Sequence, residues 1–147
     1  MDSYGTLNEV LVNLFRDILE IERKALATSE FQELTDNDMH VIEAIGVDEP
    51  KNMSTIARAL SVTVGTLTIA MNSLVKKGYV TRERGQTDRR VVYISLSEKG
   101  RAAYEHHARF HQEMIQSVTD RLSKEELDAL THALTCLNQW FREKENN

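Results

Sequence analysis

Four guanidinium groups fall within nine residues of the stretch RERGQTDRRVVYI: Arg82, Arg84, Arg89 and Arg90. A guanidinium is always charged, donates through a planar fork and pairs well with phosphate. Asp88 sits among them. A free carboxylate there would repel a polyanion, so its place is as an acceptor for a neighbouring arginine, fixing the loop. Just upstream, the segment TVGTLTIAMNS carries small hydroxyl and amide side chains at short spacing. Wound at 100° per residue, Leu67, Met71 and Leu74 share one face. Gly65, Ile69, Asn72 and Lys76 fall opposite, with Thr66, Thr68 and Ser73 at the edges. Apart from Ile69 that outer face is small and polar, and residues 52–82 contain no acid. An ordinary solvated helix face is rich in Glu and Lys. A small polar one suits close approach to a duplex groove, where Thr and Ser bond bases or phosphates and Asn reads adenine. Gly65 leaves the first backbone amides of the helix open to a phosphate.

The elements around these residues follow from the pattern. STIARAL, with Ser54 at its start, and the helix from about 64 to 77 are joined by three residues, the spacing of a helix-turn-helix. Thr63 precedes the second helix and Gly78 ends it. YVTRER and VVYISL read as two strands with GQTDRR as their tip. The predicted hairpin therefore carries its arginines directly after the groove-facing helix, as a wing. An arginine at such a tip can enter a narrow minor groove, and Ser54 can bond phosphate. Upstream, Thr35-Asp36-Asn37-Asp38 opens a helix ending near Gly46 and Pro50. Downstream, Ser97 caps a helix over about 98–121, and Ser123-x-x-Glu126 opens another to about 144. With a first helix over about 5–26, the order is α-α-α-α-β-β-α-α: mainly α with a small β-hairpin wing.

The 147 residues suffice for one core of moderate size. Mean hydropathy is −0.42, no apolar run approaches the ~20 residues of a membrane span, and MDSYGTLNEV has no secretory pattern. One cysteine, Cys136, excludes an internal disulfide, and a cytoplasmic setting is the expectation. The net charge of −5 conceals a division. Residues 1–50 carry a net −9, residues 51–101 a net +7 and residues 102–147 a net −3. A basic island between acidic flanks concerns partners rather than fold.

Leu7, Leu11, Leu14, Ile18 and Ile21 repeat at 4, 3, 4, 3; Leu127, Leu130, Leu134, Leu137 and Phe141 repeat at 3, 4, 3, 4. Either stripe alone could pack on its own domain. Two narrow a/d-type stripes at opposite ends of a small chain favour helix seams with a second copy. The expectation is one domain, 1–147, with dimerisation helices at about 1–33 and 98–147 around a DNA-binding lobe at about 34–97.

Other reactive side chains point to less. His107 and His111, spaced i, i+4, could hold a metal from one helix face. No H-E-x-x-H and no obvious cysteine or carboxylate set completes them, so no metal and no cofactor is expected. Cys136 has no electropositive setting in the sequence and reads as a packing residue. With no phosphate loop, nucleophile elbow or Cys/His dyad, an enzyme is not expected.

LTDNDMHVIEAIG, MSTIARAL, TVGTLTIAMNSLVKKGYVTRE and DRRVVYISLSEKG resemble the MarR family of bacterial transcription regulators. Asp88-Arg89-Arg90 through Leu96-Ser97-x-x-Gly100 matches the family's D-R-R…L-T-x-x-G pattern. The resemblance implies a winged helix-turn-helix homodimer on a pseudopalindromic double-stranded operator, with no membrane partner. Two departures stand out: Gly65 where many members have serine, and Ile69 where many have a basic residue that contacts DNA. Within the family DMHVIEAIG, VTVGTLT and RFHQEM are most similar to repressors of fatty-acid synthesis. That likeness implies long-chain acyl-acyl carrier protein as corepressor, its acyl chain entering an apolar cavity lined by candidates His40, Phe110 and His111. The wider family implies an alternative, release from DNA by a phenolic or drug-like ligand. A protein-binding helical module is the reading from another class.

Overall fold

The computed structural model describes residues 2–146. Six helices and three short strands follow in the order α1 (Ser3–Ala27), α2 (Asp36–Ile45), β1 (Lys51–Asn52), α3 (Met53–Leu60), α4 (Val64–Lys77), β2 (Val80–Arg84), β3 (Val92–Leu96), α5 (Glu98–Thr119) and α6 (Lys124–Glu145). Contacts divide the chain into two units, residues 1–110 and 111–147.

Most boundaries have a local cause. Thr35 and Asp38 form a reciprocal capping box at α2, and Ser123 and Glu126 form another at α6. Each satisfies two helix-end donors at once. Thr63 Oγ1 accepts from the Thr66 amide at the start of α4, and Gly78 ends it with φ 88°. The α3–α4 turn begins at Ser61, the one described non-glycine residue with positive φ (55°). That left-handed residue lets the two helices meet at 106°, within the range of a helix-turn-helix.

The sheet exceeds the two-stranded hairpin that the sequence predicts. β1 pairs antiparallel with β3 (Lys51↔Ile94, Asn52↔Tyr93), giving the order β1-β3-β2. Lys-Asn has no strand-forming character of its own, so this strand exists through its pairing. Lys51 Nζ also donates to the Ala44 and Ile45 carbonyls at the end of α2. α3 likewise begins at Met53, capped by Asn52, rather than at Ser54.

The core lies in the first unit. Ile42 and Ile45 of α2, Ile56 of α3, Leu67, Met71 and Leu74 of α4, Tyr79 and Ile94 are fully buried. The face of α4 that periodicity places inward is therefore the one that is packed. α5 is seated against β2 through Ser97 and Gly100. Ser97 Oγ donates to the Gly78 carbonyl (2.6 Å) and accepts from the Gly100 amide (3.1 Å), while the Ser97 amide donates to Tyr79 O (2.9 Å). A Cβ on Gly100 would overlap Tyr79 O, well inside van der Waals contact distance. The L-S-x-x-G pattern is thus a junction between helix and wing.

The stripes on the terminal helices are uncovered in one chain. Leu7 is 61% exposed, Leu14 51% and Ile21 54% on α1; Leu134 is 51% and Phe141 55% on α6. Among the described residues no single helix is long and apolar enough to cross a membrane.

Candidate nucleic-acid interface

The outer face of α4 is open. Thr63, Gly65, Thr66, Thr68, Ile69 and Asn72 are all exposed, as is Ser54 in the first turn of α3. Their hydroxyls are pre-set by the helix. Thr68 Oγ1 donates to the Val64 carbonyl (2.8 Å), leaving its oxygen as an acceptor toward the outside. Thr63 Oγ1 donates to Thr66 Oγ1 (2.9 Å), leaving the Thr66 proton as an outward donor. A Cβ at Gly65 would meet only Thr63 Oγ1, at 3.9 Å. Nothing among the described residues requires glycine there. The missing side chain instead leaves the helix end, with its amides lacking intrahelical acceptors, bare to an external partner.

The wing is built on the β2–β3 register Arg82↔Ile94, Glu83↔Tyr93, Arg84↔Val92. At its tip Asp88 Oδ1 accepts from the Arg90 amide (3.0 Å) and Arg90 Nε (3.2 Å), and Oδ2 accepts from Arg90 Nη2 (3.3 Å). Those bonds, the side-chain one foremost, hold the Asp88 carboxyl below its usual range. Val91 N donates to Asp88 O and Gly85 N to Val91 O, closing the loop. Arg90 thus helps order the tip while its side chain stays 92% exposed. Among the described residues no acceptor holds Arg89, which is exposed beside it. Arg82 turns back: its Nη1 donates to Asn72 Oδ1 at 2.7 Å, tying wing to helix. Met53, Thr68, Arg82, Glu83, Arg84 and Val92 line a cleft of about 390 Å³ between the start of α3, α4 and the wing.

A second set of polar residues fixes α4 from behind, and sequence reading missed it. Lys77 Nζ donates to Asp38 Oδ2 and to the Glu33 carbonyl, both at 3.0 Å. Asp38 is buried and serves the α2 capping box with the same oxygen. Tyr79 OH donates to Glu33 Oε1 (2.6 Å), which also accepts from Lys99 Nζ (2.7 Å). Lys99 lies over the Tyr79 ring, 4.5 Å from its centroid. The Lys99 bond, then the Tyr79 bond, lower the Glu33 pKa; burial first, then Glu33, raises that of Tyr79. These contacts join residues up to 66 apart in sequence. No local pattern could have shown them.

The histidines divide. His106 packs edge-on against Phe31, with centroids 5.5 Å apart. His107 Nε2 lies 3.5 Å from Glu43 Oε2. His40 is exposed on α2. It borders a cleft of about 340 Å³ lined also by Val41, Leu60, Val62 and Leu67. It also borders one of about 20 Å³ with Glu22, Leu26 and Met39. Phe110 and His111 are half-buried, at the end of the first unit and the start of the second. Cys136 is exposed, 3.8 Å from His132 Nε2. The buried packing role expected for it is corrected: α6 has no buried residue.

The MarR family model matches residues 34–92, the span from the start of α2 to the wing. Among curated relatives, the uncharacterized HTH-type transcriptional regulator YwhA of Bacillus subtilis is 37% identical over 71 residues, covering 48% of this chain and 51% of YwhA. The HTH-type transcriptional regulator SarZ of Staphylococcus haemolyticus is 34% identical over 99 residues, covering 67% of each. The chain thus spans about half the length of the first of these relatives. Among solved structures, Streptococcus pneumoniae FabT in complex with DNA superposes with a TM-score of 0.91 at 37% identity, over 96% of this chain and 99% of FabT. The chain belongs to the MarR family of winged helix-turn-helix transcriptional regulators.

Proposed function

We propose that the chain is a homodimeric, sequence-specific transcriptional repressor in which α4 enters the major groove and Arg89 at the wing tip reaches the minor groove. One observation carries this reading: the exposed face of α4 is, Ile69 apart, small and polar, and it is tied through Arg82 to a wing on which Arg84, Arg89 and Arg90 are exposed. Phosphate contacts from Ser54, Arg84 and Arg90 supply affinity, and base edges met by α4 supply specificity. The exposed stripes of α1 and α6 pair between two copies, presenting two such lobes to a pseudopalindromic site.

Likeness to repressors of fatty-acid synthesis, and the superposition on DNA-bound FabT, support a finer reading. The regulated genes are those of fatty-acid synthesis, and long-chain acyl-acyl carrier protein is the corepressor. Band-shift titration tests it. Added acyl-acyl carrier protein should tighten the complex while the unacylated carrier does not; an indifferent complex rejects the corepressor role.

Two substitutions probe the interface. Arg89→Ala is expected to weaken operator binding about tenfold or more, with the thermal midpoint unchanged because no acceptor among the described residues holds Arg89. Anisotropy titration and a melt on one sample check both halves. Gly65→Ala should leave stability equal or raised, since alanine is the better helix former, yet weaken duplex binding because its methyl stands where the DNA must approach. Unchanged affinity would show that the duplex does not reach that turn.

A further inference from the structure

Ile69 is 76% exposed, far more than Val62 before α4 or Val64 at its start, at 40% and 45%. It stands opposite the buried side of α4, in the centre of the face assigned above to the groove. Asn72 is its neighbour at i+3, within about 6 Å on the helix surface. The Arg82–Asn72 bond fixes what Asn72 offers. Arginine only donates, so the amide oxygen must face Arg82 and the amide NH₂ must face away. Adenine is read by an amide that accepts from N6 while donating to N7. Here the accepting oxygen is engaged by a charged donor, which disfavours that pairing. What the helix presents is an NH₂ donor beside an aliphatic side chain.

Of the four bases only thymine shows the complement in the major groove, an O4 acceptor next to a C5 methyl. Cytosine offers a donor where an acceptor is needed. Guanine offers acceptors but no methyl. We propose that Ile69 and Asn72 together read a thymine in each half-site, and that Arg82 is a positioning residue that sets the Asn72 amide for this base. The inference rests on the DNA-binding reading of α4 and goes beyond it by naming the base and the two groups that select it.

The test begins with the full-length chain selecting duplexes from a random pool at fixed salt. Each enriched thymine is then replaced by deoxyuridine, which removes only the methyl. At one thymine per half-site, deoxyuridine should weaken wild-type binding about fourfold per methyl. The same replacement should leave Ile69→Ala unaffected, within about twofold. Ile69→Ala is folded on this account because its side chain is solvent-facing. Selection repeated with Arg82→Ala should show the thymine preference at that position relaxing toward adenine, a change that simple loss of a phosphate contact would not produce. If sequences are enriched but no deoxyuridine penalty depends on Ile69, or Arg82→Ala keeps the wild-type preference, this proposal is overturned while DNA binding stands. If no sequence is enriched, both fall.

Discussion

Placing aspartates at Leu134 and Leu137 should convert the protein to a folded monomer of 16.8 kDa that no longer holds its operator. The side chains lie on α6, 51% and 40% exposed. They belong to a stripe running from Leu127 to Phe141 at coiled-coil spacing, on a helix with no buried residue of its own. Apolar faces of this length are rarely left to water by a monomer. Two carboxylates in a seam that excludes water cost several kcal/mol, whereas in a solvated monomer they cost little. Helicity should persist, since α6 keeps its Ser123–Glu126 box. A monomer engages one half-site, so affinity should fall about 10³-fold, toward non-specific binding. Light scattering and anisotropy on the same preparation check this. A variant that remains dimeric places the seam elsewhere, and a wild type already monomeric contradicts the homodimer.

Gly100→Ala is expected to be the most damaging single methyl in the chain. Gly100 is buried where α5 crosses the start of β2, and its new Cβ would collide with the Tyr79 carbonyl oxygen and press on the Tyr79 carbonyl carbon and Leu96 Cβ. Both backbone atoms belong to a residue that is fully buried and bonded to Glu33, so neither side yields cheaply. Overpacking a rigid site costs about 1–3 kcal/mol; contact with backbone puts this one near the upper end or above. The same shift would disturb the Ser97 bonds to Gly78 and Tyr79, and with them the wing. Urea unfolding should show a lower midpoint at an unchanged slope, and duplex affinity should fall with stability. This contrasts with Gly65→Ala, where the two should separate.

The sequence was legible wherever a local rule decided the outcome. The capping residues Thr35 and Ser123 and the stop at Gly78 are set by neighbours within four positions, and all stand where the pattern puts them. The inward face of α4 follows from its period. β1 was not legible, because two residues without strand propensity become a strand only when β3 arrives alongside. Nor was the Lys77–Asp38 and Tyr79–Glu33–Lys99 network, whose partners meet only after folding. Within the candidate site the eleven α3, α4 and wing positions could be named from residue type. That Arg82 would spend its charge on Asn72, while Arg89 stays open, required the register of the hairpin.

The central claim is that this chain recognises duplex DNA by sequence through α4 and the wing. Its most direct test is an anisotropy titration at physiological salt of a duplex selected by the protein against a scrambled duplex of the same composition. The account predicts a Kd of about 10⁻⁸ M or tighter for the selected duplex and at least ~10³-fold weaker binding of the scrambled one. Equal affinities for both, in the ~10⁻⁴–10⁻⁶ M range of non-specific binding, would contradict it.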